Sequence, residues 1–184
     1  NNSLPGPELW LCQTPLLSAI QGGNLSMCKV LIEEYKADVN LPDDDGITPI
    51  HLASKLGHLE ICRFLCKYIL DKNTLDKYGL WSPLLFAIQG GNLNVCKLLI
   101  EEQNVNVDLS NDYGTTPLML ACMEADKNVV QLLLNHSDKS IELNARDCMG
   151  RTALMYARAS MHDPNIFRSI KTSKEIVKLL LEHS

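Results

Sequence analysis

The stretch PLLSAIQGGNLSMCKVLIEE, residues 15–34, decides the fold, because it returns as PLLFAIQGGNLNVCKLLIEE at residues 83–102 with sixteen of twenty residues identical. A more divergent copy, DGITPIHLASKLGHLEICRFLCK, lies between the two. Prolines recur every 34 residues in like frames, at Pro15, Pro49, Pro83 and Pro117. A fifth frame, RTALMYAR, has Ala153 in place of proline. Self-similarity at such a period is the mark of a repeat protein, so we predict about five copies of one supersecondary unit.

Each unit contains the signals for two helices. A Thr or Ser precedes each proline, as in Thr48-Pro49, which favours a helix with a hydroxyl N-cap and proline in its first turn. A small residue such as Ala53 lies inside this helix and would let neighbouring units approach closely. Gly-Asn or Gly-His then ends the first helix, and an amphipathic second helix follows. A stretch rich in Asp, Asn and Gly predicts a turn before the next unit.

The segment DDDGITPIHLASKLGHLEICRFL, Asp43 to Leu65, resembles the ankyrin repeat, with its D-x-x-G-x-T-P-L-H-x-A pattern and typical length of 33 residues. The resemblance extends from about Thr14 to Glu182. The tetratricopeptide array, of period 34, requires a Trp/Gly/Tyr pattern that is not found here. The resemblance implies an all-α ankyrin-repeat solenoid forming a single domain. Its units are expected at residues 10–42, 43–75, 76–110, 111–146 and 147–184.

Three units depart from the pattern. Unit one has NNSLPGPELWLCQ in place of the turn, and we expect Trp10 to cover the end of the stack. Unit three carries one additional residue, which we assign to Trp81. Unit five carries an insertion near residues 161–171, after which SKEIVKLLLEHS resumes the second helix. The absence of a last turn motivates an alternative function, a regulatory or targeting segment of a larger enzyme or channel.

Composition bounds the partners and the compartment. The net charge is −5 and the sequence pI is about 5.5, which argues against a nucleic-acid partner. No apolar run approaches the ~18 residues of a membrane span, so no membrane insertion is expected. Seven cysteines, an odd number without dense spacing, fit a reducing compartment, so we expect a cytoplasmic or nuclear protein. A monomeric array is expected.

No arrangement of residues predicts catalysis, a cofactor or a metal site. Cys28, Cys62 and Cys96 occupy one repeat position, which favours small apolar core residues over a redox or metal ladder. Cys62 and Cys66 lie four apart on one predicted helix, but no second Cys/His pair is spaced to complete a tetrahedral site. QGGN, which occurs twice, lacks the strand-to-helix context and the lysine of a phosphate loop. We therefore expect a non-enzymatic protein.

The resemblance implies a protein–protein interaction scaffold that binds a peptide or protein partner with its turn tips and the concave side of its first helices. The residues that differ between units at those places are the candidate contacts. Aromatic residues and methionine are favoured at interface cores, and acidic tips would favour basic residues in the partner. The candidates are Asp44, Asp45, Lys55, Tyr78, Trp81, Phe86, Gln89, Asp112, Tyr113, Met123 and Met149.

The resemblance also implies a modification site. Ankyrin repeats with an apolar residue eight positions before an Asn, in a D-V-N context, are substrates for β-hydroxylation of that Asn. KADVN places Asn40 in this context, with Ile32 eight residues before it. The alternative is that Asn40 makes hydrogen bonds within its turn.

Overall fold

A computed structural model describes residues 14–136, 141–159 and 170–183. Over those ranges the chain forms ten α-helices and one π-helical turn, with no β-strand. The helices are α1 (Pro15–Gln21), α2 (Leu25–Glu33), α3 (Pro49–Leu56), α4 (Leu59–Leu65), α5 (Pro83–Gln89), α6 (Leu93–Lys97, continued by the π-helical turn Leu98–Glu102), α7 (Pro117–Met123), α8 (Lys127–Asn135), α9 (Ala153–Ala159) and α10 (Ile170–Glu182). The predicted all-α solenoid is confirmed.

The predicted hydroxyl caps begin the inner helices of units one, three and four. In each, the hydroxyl accepts a hydrogen bond from the backbone N–H three residues later, and proline occupies the first turn. The donor–acceptor distances are 3.2 Å for Leu17 to Thr14, 3.2 Å for Leu85 to Ser82 and 3.3 Å for Met119 to Thr116.

Unit two caps its inner helix through His51 instead. The ring Nδ1 lies 3.2 Å from the Thr48 backbone nitrogen and 2.9 Å from the Thr48 hydroxyl. Nε2 lies 2.9 Å from the Thr74 carbonyl oxygen, so the tautomer that satisfies both sides carries its proton on Nε2. The side chain is fully buried, and this burial lowers the pKa of His51. A neutral imidazole therefore joins the start of α3 to the loop that precedes unit three.

Glycine is required where successive helix pairs meet. Gly57 ends α3 with φ +75°, and a Cβ there would lie 2.4 Å from Oδ1 of Asn92 in the next unit. The Asn92 side chain donates to the carbonyls of Ser54 and Lys55, both at 2.9 Å. These carbonyls belong to the last turn of α3, where helices leave such acceptors unsatisfied. One unit thus caps the helix of the unit before it.

The inner helices α1, α3, α5, α7 and α9 form one layer and the outer helices form a second, with each helix packed against its successor in the same layer. The predicted small residue lies between inner helices in every unit. It is fully buried in units two to five and 9% exposed in unit one: Ala53, Ala87, Ala121, Ala157 and Ala19. Because each unit buries its apolar face only against its neighbours, the core is a continuous strip along the stack.

The cysteine ladder lies in this core, as predicted. Cys28, Cys62 and Cys96 have no exposed surface, and burial raises the pKa of the Cys62 and Cys96 thiols to about 12. Such thiols stay protonated and act as small apolar residues. Within residues 14–136, 141–159 and 170–183, no cluster of three or more His, Cys, Asp or Glu is placed to hold a metal ion.

The last helix begins earlier than the sequence predicted. We placed an insertion up to residue 171, but α10 already includes Ile170 and Lys171 and runs for 13 residues. Residues 160–169 of that insertion lie outside the described part of the chain. None of the helices described is both long and apolar enough to cross a bilayer.

Candidate protein-binding surface

The turn between units forms a finger closed by its own Asp or Asn. In unit two, Asp43 N–H donates to the Ile47 carbonyl at 3.1 Å, and Gly46 N–H donates to the Asp43 carbonyl at 3.0 Å. Oδ1 of Asp43 accepts the backbone N–H of Asp45 at 3.0 Å and that of Ile47 at 2.9 Å. The same bonds recur around Asn111 and Asp147. In the D-x-x-G pattern, the first residue therefore accepts the hydrogen bonds that close the finger, and the glycine donates one of them.

Neighbouring fingers are joined to each other by backbone hydrogen bonds. The donor–acceptor distances are 3.4 Å for Lys77 N to Asp45 O, 2.9 Å for Asp112 N to Gly79 O, and 2.8 Å for Cys148 N to Tyr113 O. Four fingers thus form one connected row from unit two to unit five. Because the row is fixed by main-chain bonds, the backbone positions from which the tip side chains project are set before any partner binds.

The third position of each finger presents its side chain to solvent. It holds Asp45 in unit two, then Tyr78, Tyr113 and Met149, whose exposed fractions are 54%, 57% and 71%. The Tyr78 hydroxyl lies 3.4 Å from Oδ1 of Asp45, a long contact that links the first two tips. Large side chains with apolar surface are therefore exposed on three successive fingers.

The additional residue of unit three is Leu80, and the assignment to Trp81 was wrong. Asp76 N–H donates to the Trp81 carbonyl at 3.0 Å, the same closure that Asp43 makes with Ile47. Oδ1 of Asp76 accepts from both Leu80 N–H, at 2.7 Å, and Trp81 N–H, at 3.2 Å. The finger absorbs Leu80 as a bulge, and Trp81 takes the place of Ile47.

Phe86 does not present surface to a partner in this structure, contrary to our expectation for a direct contact. It is 4% exposed and its ring stacks on Trp81, with centroids 5.1 Å apart and planes inclined by 21°. The edge of His51 meets the same ring at 5.9 Å, and Nζ of Lys55 lies 5.3 Å from its centroid. The inner helix of unit two covers Phe86, whose role is to support the half-buried Trp81.

The layer of inner helices contributes exposed residues from α3, α5 and α7. Lys55 and Gln89 are exposed near the ends of α3 and α5, and Met123, 40% exposed, ends α7. Leu56 beside Lys55 is 42% exposed. The Lys55 ammonium over Phe86 places a positive charge on this side of unit two, at a distance suited to a cation–π contact.

The charges at the tips are mixed. Asp44, Asp45 and Asp112 are exposed, in line with the predicted acidic tips. Lys77 lies between them, with Nζ 3.2 Å from the Asp44 carbonyl and 5.8 Å from the Tyr78 ring centroid. The tips are therefore acidic on either side of one lysine. The sequence analysis considered only the acidic residues of the tips and did not predict that a lysine lies between them.

Sequence reasoning missed the network that fixes the last finger. Oδ2 of the buried Asp147 accepts from Arg151 Nε at 2.8 Å and from the Tyr156 hydroxyl at 2.7 Å, while Oδ1 accepts from Met149 N–H at 2.9 Å. Burial acts to raise the pKa of Asp147, but hydrogen bonds from Tyr156, Arg151 and Met149 outweigh it and hold the pKa well below its ordinary value. The finger that carries Met149 is thus joined to α9 by the hydrogen bond between Tyr156 and Asp147.

Asn40 lies on the surface between α2 and the first finger. Its backbone N–H donates to Oδ1 of Asp38 at 2.8 Å. At the equivalent place in unit two, Oδ1 of Asn73 accepts the N–H of Asn106 at 2.8 Å and so links two units. The donor that corresponds to Asn106 for unit one is the Asp71 N–H, and among the described residues no hydrogen bond joins it to the Asn40 side chain.

Comparison with known proteins agrees with this geometry. A family model described as ankyrin repeats matches three times, over residues 4–76, 65–145 and 84–184, and so covers nearly the whole chain. The chain belongs to the ankyrin-repeat family. Ankyrin repeats are in general protein–protein interaction modules and are typically non-catalytic. No curated protein matches the chain significantly.

Proposed function

We propose that this protein is a non-catalytic scaffold, acting as a monomer, that binds an extended peptide or a helix of a partner protein across the fingers of units two to five. The observation that carries this proposal is the row of exposed side chains Tyr78, Tyr113 and Met149 on fingers that are hydrogen-bonded to each other. Isolated exposed apolar residues are common on proteins, but three in line on a rigid frame form a surface suited to binding.

The two tyrosines supply the anchors. A tyrosine buries about 150–250 Å² when it is fully covered, so covering the exposed half of each ring removes roughly 100 Å² from water. At about 25 cal/mol per Å², each ring contributes on the order of 2 kcal/mol before the costs of association. Because the fingers are already joined, little of this gain is lost to ordering the receptor. Trp81, supported by Phe86, extends the apolar surface from the fingers toward the concave side.

The charged residues around the finger tips indicate which charged groups a partner should carry beside its apolar side chains. Asp44, Asp45 and Asp112 favour a partner with Lys or Arg, while Lys77 and Lys55 favour a carboxylate or backbone carbonyl at the middle of the site. Gln89 and Met123 would line the concave floor beneath a bound segment. A peptide that combines aromatic or aliphatic side chains with separated basic residues matches this order.

The experiment is selection of a displayed peptide library on the parent protein and on two folded variants. The test variant is Tyr78→Ser/Tyr113→Ser. The control is Tyr35→Ser/Tyr68→Ser, which removes the same two side chains where they are 74% and 41% exposed at the outer-helix ends. We expect peptides selected by the parent to bind the control equally and to lose at least tenfold in affinity for the test variant.

Equal binding by both variants would refute the finger-tip site. Binding that is lost only in Trp81→Ala would move the site to the concave floor. A library that yields no binder would favour the alternative function, a regulatory or targeting segment of a larger enzyme or channel. Light scattering at several protein concentrations tests the monomeric state.

We further propose β-hydroxylation of Asn40. Its support is that Asn40 is exposed and that its side chain does not make the link between units that Asn73 makes. Mass spectrometry of the protein isolated from its native cell would show one added oxygen atom on the peptide that contains Asn40, and none on the peptide that contains Asn73. An unmodified Asn40 peptide would refute the proposal.

We also propose that the protein resides in the cytoplasm or nucleus. The support is that Cys28, Cys62, Cys66, Cys96 and Cys122 are all buried as free thiols of the core. A core of free thiols contains no disulfide that reducing conditions could break. Imaging of the tagged full-length protein tests the compartment, and secretion would refute it.

A further inference from the structure

The charge of the fingers changes along the row, from acidic in unit two to basic in unit five. Residues 42–47 carry three Asp and no basic residue. Residues 75–81 carry one Asp and one Lys, and residues 110–115 carry one Asp. Residues 146–151 carry two Arg and one Asp, and theirs is the only net positive charge among the four fingers. The two ends of the row therefore have opposite charge.

Unit five places a guanidinium where unit three places an indole. Asp147 N–H donates to the Arg151 carbonyl at 3.0 Å, the closure that Trp81 accepts in its own finger. Tyr156 lies five residues after Arg151, and Cζ of Arg151 lies 4.8 Å from the centroid of its ring. The Trp81 and Phe86 pair has the same spacing. Both units thus stack a flat group on a ring of the inner helix, and that group is apolar in unit three and cationic in unit five.

The Arg151 guanidinium is held in place by its own unit. Its Nε donates to Oδ2 of Asp147 at 2.8 Å, and the Asp147 side chain is 1% exposed whereas that of Arg151 is 44% exposed. Because this bond uses Nε, Asp147 does not take the edge formed by the two Nη groups. Such an edge grips a carboxylate through two parallel hydrogen bonds. A guanidinium fixed in this way loses less side-chain freedom when it binds.

Arg146 supplies a second guanidinium to the same finger. The side chain is exposed, and its Nη1 donates to the carbonyl of Gly150, the residue before Arg151, at 2.9 Å. The Arg146 guanidinium therefore lies across the finger from the strand of backbone that leads to it. Among the residues that the structure describes, no carboxylate forms an ion pair with Arg146. Its charge is thus available to a partner.

We propose that the finger of unit five binds the acidic end of the partner segment, with Arg151 gripping an Asp or Glu carboxylate through its Nη edge and Arg146 adding a second contact. The acidic finger of unit two then receives the basic end of the same segment. This inference rests on the proposed function, because it gives a direction to the segment that lies across the fingers of units two to five. Arg151 and Arg146 are its specificity-determining residues.

The repeat also sets the spacing of groups in the partner. Packed helices lie about 8–10 Å apart, so two units place Trp81 and Arg151 roughly 16–20 Å apart. An extended segment advances about 3.3 Å per residue, which gives about five or six residues between the side chain that covers Trp81 and the acidic side chain. A helix, with a rise of about 1.5 Å, needs about 11–13 residues. Peptides that bind across the row should show one of these two spacings.

The test uses a displayed library of random peptides long enough to span the row. Peptides are selected on the parent protein, and those that Tyr78→Ser/Tyr113→Ser weakens are synthesised as ligands of the finger row. Their affinities are measured for Arg146→Glu and for the matched control Lys67→Glu. The control makes the same change of charge at an exposed residue just after α4. Circular dichroism checks that each variant is folded.

We expect Arg146→Glu to lose at least fivefold in affinity at low ionic strength and Lys67→Glu to lose less than twofold. Arg151→Lys, which keeps the charge beside Asp147 but removes the planar fork, should also lose severalfold. Replacing the acidic residues of the peptide by Gln should weaken binding to the parent and abolish the effect of Arg146→Glu. Replacing them by Lys should restore binding to Arg146→Glu. These differences should shrink in concentrated salt.

Two results would overturn this inference and leave the finger-tip site standing. One is a set of tyrosine-dependent peptides that bind Arg146→Glu as tightly as Lys67→Glu. The other is a peptide whose acidic residues can be replaced by Gln without loss of affinity for the parent, a change that leaves the protein itself unaltered and so gives an answer even if Arg146→Glu does not fold. If no selected peptide depends on Tyr78 and Tyr113, the proposed function is refuted and the inference fails with it.

Discussion

Replacing the glycine in the finger of unit two by alanine should destabilise the array far more than the same change in the finger of unit five. Gly46 and Gly150 occupy the same turn position, with φ +80° and +74°. A Cβ on Gly46 would lie 2.3 Å from the backbone nitrogen of Lys77 and 2.5 Å from its Cβ. A Cβ on Gly150 would have no heavy atom within 4 Å. The two substitutions therefore differ in one respect, the presence of a following finger.

The magnitude follows from two contributions. An L-residue in the left-handed region costs about 1–2 kcal/mol, and the smaller entropy of the unfolded alanine chain offsets about 0.4–1 kcal/mol of this. Gly150→Ala should therefore cost roughly 0.5–1 kcal/mol. Gly46→Ala must in addition move the finger of unit three by about 1 Å to reach an ordinary contact distance. Overpacking of this kind costs about 1–3 kcal/mol, so the total for Gly46→Ala is roughly 1.5–4 kcal/mol.

Urea denaturation followed by circular dichroism measures both free energies of unfolding, provided that the transitions are two-state with equal slopes. The difference corresponds to roughly 2–12 °C in Tm for a chain of this size. Equal losses for Gly46→Ala and Gly150→Ala would refute the close approach between the fingers of units two and three. It would also remove the basis for a pre-ordered row of tips.

Three further predictions concern contacts made between or within units. Because burial lowers the pKa of His51, the unfolded chain binds a proton more readily than the folded chain, so the free energy of unfolding should fall as pH drops below about 6.5. His51→Gln should remove part of that fall when urea titrations are repeated at several pH values. Asn92→Asp replaces two donated hydrogen bonds by a carboxylate facing two carbonyls and should cost about 2 kcal/mol or more, whereas Asn24→Asp, at the matching cap of unit one, should be nearly neutral by thermal denaturation. Tyr156→Phe removes a donor that keeps the folded pKa of Asp147 low, so the variant should be less stable near neutral pH. Its difference from the parent in free energy of unfolding should shrink only as pH falls well below the ordinary carboxyl value, through the folded pKa of Asp147, and a difference independent of pH there would contradict this role.

The period of the sequence determined the features that each unit encodes for itself. Thr14, Ser82 and Thr116 were predicted as caps because the hydroxyl and its acceptor site lie within three residues of chain. The two-helix unit and the buried cysteine position followed from spacing alone, since a helix brings residues three and four apart to one face. These interactions are local, so a single copy of the unit specifies them.

Only the tertiary structure decided which residues meet across units. The support that Phe86 gives to Trp81, and the placing of Leu80 as the bulged residue, depend on how unit three is seated on unit two. The same holds for Asn92, whose bonds to α3 span 37 and 38 residues. Stacking brings such residues together through the combined packing of two units, and a repeat pattern records where a side chain lies in its own unit but not what faces it. For this reason the sequence determined the scaffold, while the surface available to a partner was decided by the stack.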